Sequence, residues 1–85
     1  MMDRKTLRAL IDAGAVRKVR LIGEGPQFRA EIETQGGSLR VNTTGGKLRT
    51  WTTLDAAAKW IRNLGIGTLQ LELDKWQPQQ RMLKL

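Results

Sequence analysis

The residues that most often perform catalysis are scarce in this chain of 85 residues, which contains neither histidine nor cysteine. Ser-His-Asp and Cys-His arrangements therefore cannot be built, and neither can histidine or thiolate metal sites. Ser38 is the single serine, and its position beside a Gly-Gly pair favours a role in a turn over nucleophilic catalysis. Glu31 and Glu33 share one face of a predicted strand, where solvated charges are commonplace. We therefore predict no catalytic residue, no metal site, no cofactor and no enzymatic activity.

Two glycine-rich segments match phosphate-binding loops only in part. Gly45-Gly46-Lys47 is followed by Leu48, where a Walker A motif needs Ser or Thr to ligate magnesium, and the first glycine of that motif is missing. Gly65-Ile66-Gly67 follows a predicted helix, whereas a dinucleotide fingerprint leads from a strand into a helix. Both segments are predicted to be turns.

Cations interleaved with a tryptophan form the pattern that predicts a binding function. The predicted strands alternate apolar and polar residues, so their outward positions share one sheet face. That face collects Lys18, Arg20, Arg29, Arg40, Lys47, Arg49 and Trp51. Cations release counterions from a nucleic-acid backbone, and an exposed indole can stack on an unpaired base. The same face carries Glu31, Glu33 and Glu72, and any uncovered sheet face is polar, so a solvated surface without a ligand is the alternative.

The spacing of apolar residues predicts the elements that hold this face. Asp3 is a suitable N-cap for a first helix, which Gly14 ends. Alternation predicts five strands, at 17–24, 27–34, 38–43, 47–51 and 68–74. A second helix lies between the last two strands, with Thr52 and Asp55 in capping-box spacing before it. The order α-β-β-β-β-α-β predicts an α+β fold, a mainly antiparallel four- to five-stranded sheet with two helices packed on one face.

The inward strand positions predict the core of a single domain, residues 1–76, followed by a short basic tail, 77–85. The residues expected beneath the helices include Leu21, Phe28, Ile32, Val41 and Leu71. Leu48, Leu69 and Leu73 also fall on inward positions. Trp76 follows the last strand and is expected to cover an edge of the core, whereas Trp60 suits either packing or an interface.

Charge and size narrow the classes of partner. Fifteen Lys and Arg against eight Asp and Glu give a formal charge of +7, which attracts polyanions such as nucleic acid, although it can also serve solubility alone. No apolar run approaches the ~20 residues that span a bilayer, and the N-terminal segment is amphipathic, unlike a secretory signal. We expect a cytoplasmic protein. A small domain without disulfides or metal depends on packing or oligomerisation, so a homodimer is one candidate assembly.

Several segments resemble the small partition-associated proteins of the ParC type, which bacteria encode beside ParA-like ATPases in plasmid stability regions. The resemblance covers residues 3 to 76 and contains no catalytic motif. It rests on Arg4, Lys5, Leu7 and Arg8 with Asp12-Ala13-Gly14-Ala15-Val16, on Gly23-Glu24-Gly25 before Phe28, and on Leu54 to Ile66 running into a strand that ends at Trp76. It implies an accessory role in plasmid partition and stability, with a ParA-like ATPase or a centromere-binding protein as partner. It assigns no functional residues.

Two functions remain open after these observations. The first is weak, sequence-tolerant DNA binding through the basic sheet face, with Arg20, Arg40 and Arg49 as the expected phosphate contacts. The second is a protein-protein adaptor that binds a partition ATPase, another partner or a second copy of itself without touching nucleic acid. Salt dependence separates the two, because only the first relies on neutralising phosphates.

Overall fold

The computed structural model describes residues 2–77, which form an α+β fold with two helices and a four-stranded mixed sheet. Its elements are α1 (Arg4–Asp12), β1 (Val16–Gly25), β2 (Gln27–Thr34), β3 (Gly37–Arg40), α2 (Leu54–Arg62) and β4 (Gln70–Trp76). The strand order is β3-β2-β1-β4, in which β2 pairs antiparallel with both β1 and β3. β4 instead runs parallel to β1. The predicted α+β class is confirmed, and two of the three strand pairings are antiparallel.

Side-chain caps fix where both helices begin. The amide of Thr6 donates a hydrogen bond to Oδ1 of Asp3 at 3.0 Å, so Asp3 is the N-cap of α1, as predicted. The N-cap of α2 is Thr53, whose hydroxyl accepts a hydrogen bond from the amide of Ala56 at 3.1 Å. The capping-box prediction placed this start at Thr52 and was therefore one residue early.

One apolar cluster joins both helices to a single face of the sheet. Its buried members are Met2, Leu7, Val19, Leu21, Phe28, Ala30, Ile32, Val41, Ala57, Ile61 and Leu64. Because α1 and α2 bury residues in the same cluster as alternate positions of β1 and β2, both helices cover the same face, which we call the covered face. The other side is the open face. The predicted burial of Phe28 is confirmed, since its exposed fraction is only 1%.

β4 lies at the edge of the sheet, so its leucines are more exposed than the sequence predicts. Leu71 is paired with Leu21 and therefore belongs to the covered face, but it is 38% exposed, and Leu73 is 41% exposed. Trp76 does cover the core edge, as predicted, with its ring centroid 5.2 Å from that of Phe28. A Cβ atom on Gly23 would lie 2.6 Å from Cβ of Trp76, so this close approach requires glycine.

The segment 47–51, predicted as the fourth strand, does not form a strand. It makes two isolated bridges, one between Leu48 and Asn42 and one between Trp51 and Phe28 of β2. Since the segment changes its pairing partner within three residues, no continuous ladder of hydrogen bonds develops. Leu48, predicted to face inward, is 38% exposed as a result.

Two further expectations concern the ends of the chain and the bilayer. Of the predicted tail, 77–85, only Gln77 lies within the described residues, and its amide donates a hydrogen bond to the carbonyl oxygen of Gly25 at 2.7 Å. Within residues 2–77, neither helix has the length and apolar character needed to cross a membrane.

Candidate nucleic-acid interface

The structure divides the predicted contact residues between two places. Strand register puts Lys18, Arg20, Arg29 and Arg40 together on the open face, where they alternate with Glu31, Glu33 and Glu72. Lys47, Arg49 and Trp51 instead lie in the connection between β3 and α2, outside the sheet. The sequence-based grouping on one face is therefore correct for the four strand residues. It is wrong for Arg49 and Trp51, which lie against Trp60 of α2.

Arg20 is held by three carboxylates on the open face. Its Nε and Nη2 donate to the two oxygens of Glu72 at 2.9 and 3.2 Å, a bidentate pair between β1 and β4. Its Nη1 donates to Glu31 on β2 at 3.1 Å and lies 3.6 Å from an oxygen of Glu33. These contacts use all three nitrogens of the guanidinium. Arg20 therefore joins β1, β2 and β4, and these ion pairs compete with a phosphate for its guanidinium.

Arg29 also forms ion pairs, with Glu24 and with Glu31. Its Nε donates to Glu24 at 2.8 Å and its Nη1 to Glu31 at 2.6 Å. The side chain of Arg29 is 13% exposed and that of Glu31 is 16% exposed, so this pair is shielded from solvent. Glu31 thus bridges the two arginines. We refer to Arg20, Arg29, Glu24, Glu31, Glu33 and Glu72 together as the ion-pair cluster.

The ionisation of the cluster follows from these contacts. The hydrogen bond from Arg20 is the main cause that lowers the pKa of Glu72, and the hydrogen bond from Arg29 is the main cause that lowers the pKa of Glu24. Burial opposes the charge on Arg29, but its hydrogen bonds to Glu24 and Glu31 outweigh burial and raise its pKa. The hydrogen bond to Glu72 likewise raises the pKa of Arg20. These contacts therefore favour the charged forms of both arginines and of Glu24 and Glu72.

The open face carries no surplus charge. Its cations, Lys18, Arg20, Arg29, Arg40 and Lys75, are matched by the four carboxylates of the ion-pair cluster and by Asp74, which lines the same pocket as Glu72 and Lys75. Carboxylates close to a cation repel phosphate and leave fewer counterions to be released on binding. Within residues 2–77, Lys18, Arg40 and Lys75 make no salt bridge, so they are the cations of this face that a phosphate could reach.

A second group of candidate residues lies against α2. The guanidinium carbon of Arg49 is 4.9 Å from the ring centroid of Trp60, a cation–π contact, and the rings of Trp51 and Trp60 are 5.4 Å apart. All three side chains are half-buried. Nε of Arg49 is buried and has no hydrogen-bond partner among the described residues. We call Arg49, Trp51 and Trp60 the tryptophan cluster, which the sequence pattern missed because it assigned Arg49 and Trp51 to the open face.

The surplus positive charge lies on the helices and on the connection that contains residues 47–51. These segments carry seven cations, namely Arg4, Lys5, Arg8, Lys47, Arg49, Lys59 and Arg62. They carry three carboxylates, on Asp3, Asp12 and Asp55. Two exposed i,i+4 pairs, Arg8 with Asp12 at 3.5 Å and Lys59 with Asp55 at 3.0 Å, leave the other cations free of salt bridges within residues 2–77. A count of charge along each predicted helix would have found this surplus.

Comparison of the chain with protein-family models, with curated proteins and with solved structures finds no match. Among the described residues, no group of three or more His, Cys, Asp or Glu side chains is arranged to hold a metal ion. The case for a function therefore rests on the distribution of charge and apolar surface.

Proposed function

We propose that the chain is a non-enzymatic DNA-binding accessory protein that acts in plasmid partition. The proposal rests on the surplus of positive charge on the helices and on the connection between β3 and α2. These segments carry seven cations and only three carboxylates. Contacts from such residues to phosphates position a protein on DNA without reading its bases. The binding is therefore weak, tolerant of sequence and strongly dependent on salt.

The cellular role in this proposal comes from the ParC-type resemblance of residues 3 to 76. A small basic protein that binds DNA weakly could assist a ParA-like ATPase or a centromere-binding protein, both of which act on plasmid DNA.

The candidate contacts are those cations that the ion-pair cluster does not use. Lys5 and Arg62 on the helices are the main candidates. Lys47, Arg49 and Trp51 in the connection between β3 and α2 join them, and Lys18 and Arg40 on the open face are expected to contribute less. Arg20 and Arg29 are assigned to the ion-pair cluster, because a phosphate would have to displace carboxylates held at 2.6 to 3.2 Å. Half-buried Trp51 offers part of its ring for stacking.

Two double charge reversals test which surface binds DNA, and each changes the net charge by the same amount. The first variant carries Lys5→Glu and Arg62→Glu on the helices, and its matched control carries Lys18→Glu and Arg40→Glu on the open face. All four side chains are exposed and make no salt bridge within residues 2–77. Fluorescence anisotropy with a mixed-sequence duplex, between low and moderate salt, measures affinity and its salt slope.

We expect the helix variant to bind about tenfold or more weakly, with a salt slope reduced by about one for each lost phosphate contact. The open-face variant is expected to lose less. Equal losses in the two variants would show that net charge alone matters and would contradict a helix-side surface. Absence of binding by the parent protein at low salt would contradict DNA binding altogether.

The adaptor remains a second candidate, because the open face is charge-balanced and two leucines of β4 are half-exposed. An interface built on apolar contacts owes little to salt. Pull-down of the ATPase encoded beside this chain, at low and high salt, measures it. A complex that persists at high salt supports the adaptor, and the absence of a complex at both salt concentrations contradicts it.

A further inference from the structure

The two edges of the sheet differ in how they are guarded against pairing with another strand. β3 is only four residues long, which is a common protection of an edge. β4 has seven residues and pairs with β1 along one side, and no described residue pairs with its other side. Leu71 and Leu73, half-exposed on the covered face, adjoin this open edge. A long edge strand with exposed apolar side chains is a template for strand addition.

We propose that β4 pairs antiparallel with β4 of a second copy, around a two-fold axis at Leu71, to form a continuous eight-stranded sheet. A two-fold axis perpendicular to the sheet keeps the helices of both copies on the same side, so residues that oppose each other lie on equivalent faces. This inference concerns assembly and does not depend on DNA binding.

The sequence of β4 is complementary to itself in this register. With Leu71 opposite Leu71 of the second copy, Leu73 faces Leu69, which directly precedes β4, and these leucines would cover one another. On the open face, Gln70 faces Glu72 of the second copy. An amide is a suitable donor to that carboxylate, as the hydrogen bond of 2.9 Å between Gln70 and Glu72 within one chain illustrates. Cross-strand pairs of these kinds stabilise a sheet.

Two registers shifted toward the C-terminal end of β4 bring like charges together. A shift that places the two-fold axis at Glu72 sets this residue opposite Glu72 of the second copy. A shift that places the axis at Leu73 sets Glu72 opposite Asp74. Like charges that oppose each other across a strand pair are unfavourable. The axis at Leu71 avoids both contacts. An axis at Gln70 also avoids them, but it sets Thr68 opposite Glu72 and so loses the pairing of Gln70 with Glu72.

Single cysteines test the register directly, because the parent chain has no cysteine. In the proposed pairing, the two Cα atoms of residue 71 are about 4.5–5.5 Å apart, which a disulfide can bridge. Residue 73 opposes residue 69, so its two copies are about four residues, or about 13 Å, apart along the strand. Under mild oxidation, Leu71→Cys is therefore expected to give a covalent dimer and Leu73→Cys is not. Cross-linking of Leu73→Cys alone would overturn the register.

The oligomeric state tests the interface independently of cross-linking. Sedimentation velocity over a range of protein concentrations, without DNA, is expected to show twice the chain mass for the parent protein. Leu71→Lys places two lysines against each other at the axis and is expected to abolish the dimer. Leu39→Lys is the matched control, since Leu39 is 46% exposed on the other edge strand and faces the same side. The control is expected to remain dimeric.

Two results would contradict the proposed dimer. One is a parent protein that stays monomeric at every concentration. The other is loss of the dimer in Leu39→Lys while Leu71→Lys remains dimeric. Circular dichroism spectra confirm that both variants are folded before the comparison is made. DNA binding by a monomeric protein would leave the proposed function intact while refuting the dimer, so the two proposals fail separately.

Discussion

The two faces of the sheet are stabilised by different means. The covered face packs Phe28 and its neighbours against both helices. Within residues 2–77 no helix covers the open face, yet this face buries Ile22 to 7% exposure between Arg29 and Glu72, its neighbours in register. The apolar stems of long charged side chains can cover a residue in this way. Cations at outward strand positions therefore need not form a basic surface, because they can pair with carboxylates and cover an apolar residue.

The largest expected effect is on the covered face. Phe28→Ala should lower the free energy of unfolding by about 3–5 kcal/mol, because it leaves a large cavity in the middle of the apolar cluster. A loss of this size would unfold much of a small domain. Thermal and denaturant unfolding measure it. A melting temperature close to that of the parent protein would contradict the packing of this face.

A smaller loss is expected at the apolar residue of the open face. Ile22→Ala should cost about 2 kcal/mol, at the low end for such truncations, because charged side chains above it can settle into the space. The same unfolding experiment compares it with Phe28→Ala, and Ile22→Val is a conservative control. Equal losses for the two alanine variants would mean that the ion-pair cluster packs as rigidly as the helices do.

The smallest expected effect is the pH dependence of the ion-pair cluster. The pKa values of Glu24 and Glu72 are lowered in the folded chain, so their contribution is present above the ordinary glutamate pKa of 4.5 and is lost as the pH falls through the lower folded value. As the pH is lowered below about 4.5, the melting temperature should therefore decrease. Arg20→Gln removes the main cause of the shift in Glu72 and should reduce this fall.

Arg40→Gln is the matched control for this experiment, since it removes one cation of the same face that makes no salt bridge within residues 2–77. Its pH dependence should resemble that of the parent protein. An identical fall of the melting temperature in the parent protein and in Arg20→Gln would show that these ion pairs do not stabilise the fold.

Much of the fold follows from local rules, and here the sequence predictions agree with the structure. Alternation located β2 at its observed bounds, 27–34, and the short polar side chain of Asp3 identified the start of α1. Periodicity also identified Phe28 and Leu21 as core residues. These features depend on neighbours a few residues apart in the chain, so composition and spacing are sufficient to find them.

The candidate site could be predicted only in part, because its charges are paired by tertiary contacts. Outward parity correctly placed Arg20, Arg29 and Arg40 on one face. It did not show that Arg20 would meet Glu31, eleven residues away, and Glu72, fifty-two residues away. The contact with Glu72 requires β4 to lie beside β1, and nothing in the alternation of β4 specifies its neighbour.

The sequence by itself determined most of the inward strand positions, the start of α1 and how much charge the chain carries. The tertiary structure alone decided where that charge is neutralised and which edge of the sheet stays open. The physical reason is range: periodicity and capping act over one or two turns of chain, whereas strand order and register result from the packing of distant segments. β4 illustrates both, since its alternating leucines are evident in the sequence and their exposure follows from its place at the edge.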